Sequence, residues 1–272
     1  MTLVLVRGIG DVGSAVAHRL FGVGYAVIIH DAENPAYGRR GMAFADAMFD
    51  GKAELAGVLA KCARDTTGLN IMVKCRRAIP VASGELSSVI EAFQPDVLVD
   101  ARMRKRYHPE NQRDLAPLTV GLGPNFVAGA ATDVVIETAW GPGLGSIIRQ
   151  GASLPLHGEP QSIAGHARDR YLYAETAGVF VTAMQIGDPI KRGDIVGSID
   201  GQIILAPLTG RLRGLTRSGV RVEKGTKIVE VDPRNESAIV RGLGERPKRI
   251  AEGVLEAING RIHARTFSLP GH

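Results

Sequence analysis

Residues 8–13 read Gly-Ile-Gly-Asp-Val-Gly, a complete GxGxxG set, and an acidic residue, Asp31, follows eighteen positions after Gly13. Between a strand and a helix, the three glycines act differently. Gly8 permits a tight turn, Gly10 lets backbone approach a pyrophosphate, and Gly13 allows the helix to pack closely. The N–H groups that open the helix point at an anion lying on the turn, and Asp31 is placed to accept from a ribose hydroxyl. Asp11 works against this chemistry, because a carboxylate at a helix start takes the same donors and repels phosphate. The plainer alternative is a glycine turn that only packs the first helix on its sheet.

A second candidate is the run Arg102-Met103-Arg104-Lys105-Arg106-Tyr107-His108, which follows the apolar segment DVLVD at 96–100. It places cations, Arg104 and Lys105 among them, outside a strand's carboxyl end, where open α/β sheets bind ligands. Guanidinium and ammonium groups there suit a phosphate-bearing or acidic ligand, and a solvated basic turn is the alternative. Two glycine-rich loops, 121–129 with Gly121 and Gly123, and 140–145, flank the segment DVVIET at 133–138. So much glycine fits backbone lying close to a ligand or to another strand. Asp100, Asp133 and Glu137 are the carboxylates nearby, available as a base, as metal ligands or as caps. His157 and His166 have no partners at metal-ligand spacing, so no metal site is expected. Cys62 and Cys75 form no CxxC and no Cys/His cluster; they read as buried thiols, Cys75 at the end of a buried strand, rather than as a disulfide or zinc site.

These residues need elements to hold them. LVLVRGIGDVGSAVAHRLFGVGYAVIIHD reads as strand, glycine turn, helix, strand, with Val12, Ala15, Val16 and Leu20 as the helical stripe. Apolar runs at 79–82, 96–100 and 118–123, with a helix-like segment at 83–93, extend a parallel sheet. From about residue 168 short strands follow at close spacing. There the chain repeats itself at an offset of 32 residues, Gly178, Gly187 and Gly193 mapping onto Gly210, Gly219 and Gly225. The two copies resemble the half-motifs of the lipoyl and biotinyl barrel-sandwich fold; with Gly201 and Gln202 at the connecting tip and no lysine, a swinging-arm carrier is rejected. A helix at 246–260, with Ile250, Val254, Leu255 and Ile258 at helical spacing, closes the pattern. The expected fold class is therefore α/β, with a Rossmann-like parallel-sheet domain at 1–165, a small all-β barrel-sandwich-like domain at 166–234, and a C-terminal helix and tail at 235–272.

Composition bounds the function. The 272 residues carry 33 Lys+Arg against 28 Asp+Glu, a formal net charge of +5, too mild for a nucleic-acid binder. Aromatic residues are 5% of the chain, too few for base stacking as a theme. No apolar run has the length of a membrane span, and residues 1–6 enter the glycine motif without a leader pattern, so a cytoplasmic location away from membranes is expected.

Taken in order, RGIGDVGSAVAHRL, GRRGMAFADAMFDG, QPDVLVDARMRKR, VGLGPNFVAGAATDVVIET, LGSIIRQGASLP and the terminal glycine-rich repeat ending in EVDPR resemble the YqeB-type accessory proteins of selenium-dependent molybdenum hydroxylase systems, over residues 1 to about 234. The resemblance implies a maturation factor that holds a molybdopterin-type cofactor, or a nucleotide used in preparing it, for an apo molybdenum hydroxylase as partner. Gly8, Gly10, Asp11, Gly13, Asp31, Asp100, Arg104, Lys105, Gly121 and Gly123 are then the candidate cofactor-binding residues, and no residue has a catalytic assignment. Two alternatives stand beside it: an NAD(P)-dependent oxidoreductase, in which Asp31 favours NAD, and a ligand-free docking chaperone that uses only the β module. Self-association into a homo-oligomer is left open.

Overall fold

The computed structural model describes residues 1–104, 108–156 and 160–266, the side chains of 262–266 excepted. In chain order the regular elements are β1 (Leu3–Arg7), α1 (Asp11–Gly22), β2 (Ala26–His30), α2 (Ala47–Asp50), β3 (Lys52–Leu55), β4 (Val58–Cys62), α3 (Thr66–Cys75), β5 (Ile79–Ala82), α4 (Leu86–Phe93) and β6 (Val97–Asp100). They continue with β7 (Leu118–Leu122), β8 (Val127–Ala128), β9 (Val134–Ile136), β10 (Ile147–Ile148), β11 (Gly151–Ala152), β12 (Tyr171–Tyr173), β13 (Gly178–Val181), β14 (Pro189–Ile190) and β15 (Ile195–Ile199). Last come β16 (Gln202–Leu205), β17 (Gly210–Leu215), β18 (Val220–Val222), β19 (Lys227–Asp232) and α5 (Glu245–Thr266).

β1 is apolar along nearly its whole length because helices cover the sheet on both faces. It lies between β2 and β6, parallel to both, with Val4 opposite Val27 and Val97. On one face the stripe Val12, Ala15, Val16 and Leu20 of α1 shares a core with Ile250, Ala251, Val254 and Ile258 of α5. On the other, Leu69 and Val73 of α3 and Val89 of α4 pack on Leu3, Leu5, Ile28 and Leu98. The nine-stranded sheet runs β10-β9-β7-β6-β1-β2-β5-β4-β3.

The expectation of a Rossmann-like parallel-sheet domain followed by a barrel-sandwich-like domain is corrected by this arrangement. The large sheet is mixed. At one edge β3 and β4 form an antiparallel hairpin, because Ala56 and Gly57 both take positive φ, 47° and 80°, the backbone of a tight two-residue reversal. At the other edge β10 folds back antiparallel on β9. The later strands make two antiparallel sheets, β12-β19-β17-β14 and β16-β15-β13-β18, with Phe180, Val196, Leu212, Leu215, Val229 and Val231 in their common core. β12, which lies before the repeat, supplies one of these eight strands.

The segment between β2 and β3 joins the two cores. Phe49 and Ala36 pack on the second core, Leu215 N donates to Gly38 O at 2.8 Å, and Arg217 of the later region pairs with Asp50 at 2.5 Å and Asp46 at 3.2 Å. Both cysteines depart from expectation: Cys62 ends β4 half-buried, and Cys75 is exposed at the end of α3, not of a strand. Among the described residues no helix is long and apolar enough to cross a membrane.

Candidate functional site

The carboxyl ends of β1, β2, β6, β7 and β9 share one edge of the sheet, so the loops that follow them meet. The first of these is the glycine turn. Gly8 has φ +112°, and a Cβ there would lie 2.8 Å from the backbone of Ala101; a Cβ on Gly13 would lie 1.9 Å from Gly8 O. Both positions are thus fixed as glycine by the approach of α1 and of the β6 loop to β1. Ser14 Oγ pins the helix start, donating to Ile9 O at 2.8 Å and accepting from Phe44 N at 2.8 Å. Gly10 lies under the ring of Tyr37, which a Cβ would approach to 3.0 Å.

Asp31 closes the turn from β2. Its two oxygens accept from Ile9 N and Ala32 N, each at 2.7 Å. Burial, with the Asp31, Asp11 and Asp100 charges behind it, pushes the Tyr37 phenol well above its ordinary range. The carboxylate placed to meet a ribose hydroxyl is thus engaged with its own loop. Asp11 accepts from Val12 N at 3.0 Å and from Arg39 Nη1 at 2.9 Å. Burial alone would raise its carboxyl, but the guanidiniums of Arg39 and Arg246 outweigh burial and hold it below the usual carboxylate range.

Behind the turn, at the ends of β1 and β6, Asp100 is buried and accepts from Arg102 Nε at 2.9 Å and Gln112 Nε2 at 2.8 Å. Glu110 pairs with Arg7 at 3.0 Å and Arg102 at 2.7 Å. Burial opposes its ionisation, yet hydrogen bonds and the two arginines hold its carboxyl at about 2. Asp100 and Arg102 therefore form a latch that braces the loop carrying Ala101. Arg104 is exposed beyond it, and Lys105 lies outside the described residues.

From β7, Gly121 packs on the Phe126 ring, which a Cβ would strike at 2.3 Å, and Gly123 faces Met103 and Thr138. Glu137 and Asp133 serve as backbone anchors. Glu137 accepts from Thr138 N, Ala139 N and Leu154 N, each at 2.7 Å, and Asp133 accepts from Thr119 N at 2.9 Å and Arg113 Nε at 3.1 Å. Among the described residues no group of three or more His, Cys, Asp or Glu is placed to hold a metal ion.

The structure thus brings Gly8, Gly10, Asp11, Gly13, Asp31, Asp100, Gly121 and Gly123 to one edge and leaves Arg104 outside. Sequence reasoning missed Tyr37, Arg39 and Arg246. Arg246 comes from α5, 233 residues after Gly13, and its Nε donates to Thr138 O at 2.6 Å. Only the basic stretch RPKR at the start of that helix hinted at it.

No family model matches the chain. It is 38% identical over 262 residues to the "Uncharacterized protein YqeB" of Escherichia coli (strain K12), a match that covers 96% of this chain and 48% of that one. Similar solved structures include a succinylglutamate desuccinylase/aspartoacylase from Rhodobacter sphaeroides, at 16% identity and TM-score 0.23, covering 55% of this chain and 61% of that one. The apo ectoine utilization protein EutE from Ruegeria pomeroyi, at 12% identity and TM-score 0.25, covers 85% and 86%. An aspartoacylase family protein from Mesorhizobium loti, at 14% identity and TM-score 0.25, covers 85% and 84%. By name these neighbours are of the desuccinylase, aspartoacylase and ectoine-utilization kinds. The molybdenum hydroxylase maturation factor and the NAD(P)-dependent oxidoreductase expected from the sequence are not the kinds these neighbours are named for. Against the oxidoreductase stands the geometry, since each Asp31 oxygen already accepts from a loop N–H group. Likeness at such TM-scores carries no activity to this chain. Over the 262 matched residues the chain is similar in sequence to YqeB, and it spans about half the length of that curated relative.

Proposed function

We propose that the chain binds a phosphate-bearing small molecule at the start of α1, on the edge where the carboxyl ends of β1, β2, β6 and β7 meet. The observation that carries this reading is the charge around Asp11. That carboxylate does not meet a ligand alone: Arg39 pairs with it at 2.9 Å, and Arg246 adds its field. Arg39, which Asp11 shares with Glu230, and Arg246 are the cations an anion would meet at the N-terminus of this 12-residue helix, whose free N–H groups favour negative charge. Tyr37 and the loop carrying Ala101 form the walls.

Isothermal titration with ADP and with pyrophosphate tests the reading. The wild type is expected to bind saturably, and Arg246→Met to bind about tenfold or more weakly, the loss of one charge-assisted hydrogen bond, with its melting temperature little changed. Gly10→Val, whose side chain meets the Tyr37 ring, is expected to abolish binding. Equal affinities for wild type and Arg246→Met would overturn the assignment.

A further inference from the structure

A guanidinium held in the interior without good hydrogen bonds is costly, and it calls for a group that completes it. Arg213 of β17 is such a guanidinium. Its side chain is 14% exposed, and its Nε is buried with no hydrogen-bond partner among the described residues. Its ion pairs, to Glu230 Oε1 and Asp232 Oδ2, run at 3.8 and 3.9 Å, beyond hydrogen-bond reach.

Both carboxylates are already engaged. Glu230 accepts from Arg39 at 2.7 and 3.1 Å and from Arg170 at 3.0 Å. Asp232 accepts from Arg234 at 2.9 and 2.6 Å. Lys227, 3.7 Å from the centroid of the Tyr171 ring, adds another cation beside Glu230. Cations therefore outnumber carboxylates in this part of the sheet. The backbone makes the placement of Arg213 deliberate: Leu212 pairs with Val231 and Gly214 with Glu230, so Arg213 is the extra residue of a β-bulge, the device that re-aims a side chain beside a site. Burial and then the Arg39 charge push the Arg213 pKa down, as expected of a cation short of partners.

We infer that Arg213, with Arg39 beside it, binds an oxyanion, the phosphate or carboxylate group of a small solute, at the junction of β17 and β19. The anion supplies Arg213 with the short hydrogen bonds it lacks and offsets its repulsion by Arg39. This site shares Arg39 with the one at the start of α1 and differs from it in Arg213, which the α1 site does not use.

Thermal unfolding of the full chain at fixed ionic strength, with chloride exchanged stepwise for inorganic phosphate or for acetate, tests it. The wild type is expected to show a saturable rise of about 5 °C at a hundredfold excess over the dissociation constant. Arg213→Met is expected to lose that rise, whereas Arg246→Met keeps it, which separates this site from the α1 site. A rise with phosphate alone identifies a phosphate ligand, and a rise with acetate as well identifies a carboxylate. Because phosphate also stabilises proteins by exclusion, equal rises in wild type and Arg213→Met would overturn the inference, as would no rise in the wild type. Phosphorus-31 line broadening of inorganic phosphate gives a second readout, expected with the wild type and reduced with Arg213→Lys, which keeps the charge and loses the planar fork. Unchanged broadening with Arg213→Lys and Arg213→Met together would equally overturn it.

Discussion

Replacing Glu230 by glutamine is expected to lower the melting temperature at pH 7 by about 10 °C, corresponding to a loss of about 3–5 kcal/mol when one partner of a buried ion cluster is removed. Glu230 is 0% exposed and holds Arg39 and Arg170, the second of them itself 2% exposed on its side chain. Glutamine keeps the volume but offers one acceptor oxygen in place of two, and turns an amide N–H₂ toward guanidinium donors. The variant also carries a pH signature. Burial alone would raise the Glu230 carboxyl, but Arg39, Arg213 and Lys227 outweigh it and hold it at about 2. A carboxyl lower in the folded than in the unfolded chain stabilises fully above its unfolded value near 4.5 and loses that contribution as pH falls toward 2. For Glu230 the contribution is about 3 kcal/mol. Urea melts between pH 7 and pH 2.5 should therefore show a steeper acid-side decline for wild type than for Glu230→Gln. Parallel curves with equal midpoints at pH 7 would refute the cluster's role.

The elements around the site are legible where period and punctuation agree. The strand read at 79–82 is β5, the apolar run at 96–100 contains β6, and the helix expected at 246–260 lies within α5. The repeat also has a backbone basis, since Gly187, Gly219, Gly193 and Gly225 all take positive φ, between 83° and 96°. Harder to read is the hairpin β3–β4, whose Ala56-Gly57 turn lacks the usual asparagine or aspartate and whose strands are too short to alternate clearly. Cys75 reads as ending a strand because residues 66–75 hold only two buried apolar side chains, Leu69 and Val73, too few to make a helical stripe.

The candidate site is legible at the level of the glycine turn and not at the level of charge. Arg39, Glu230, Arg213 and Arg246 belong to four separate stretches of chain, and no spacing rule links them. Their meeting depends on how the segment between β2 and β3 carries Arg39 across to β19. Asp31 shows the converse. Its position after β2 is what a ribose-binding carboxylate requires, yet the same position lets it hold Ile9 N at 2.7 Å, and only the three-dimensional arrangement tells the two apart.

The glycine turn supplies the other large expected effect. Within a helix, glycine to alanine is ordinarily stabilising by up to about 1 kcal/mol, and Gly22, at the end of α1 with nothing within 4 Å of an added Cβ, should behave that way. Gly13 in the same helix should do the opposite. Its Cβ would stand 1.9 Å from Gly8 O, a main-chain atom whose own residue is fixed at φ +112° against Ala101, so neither side can turn away. The helix must then shift by more than an ångström, and that shift opens the seam where Val12, Val16 and Leu20 meet Ile250, Val254 and Ile258 of α5. Overpacking and lost contact together are expected to cost about 3 kcal/mol or more, a drop of roughly 6–12 °C in melting temperature. Thermal melts of Gly13→Ala and Gly22→Ala beside the wild type read this directly, because the two variants share helix propensity and differ only in what the new methyl group meets. Shifts of the same sign and size would mean that the close approach of α1 to β1 does not hold in solution. It would also remove the walls from the proposed ligand site, whose shape depends on that approach.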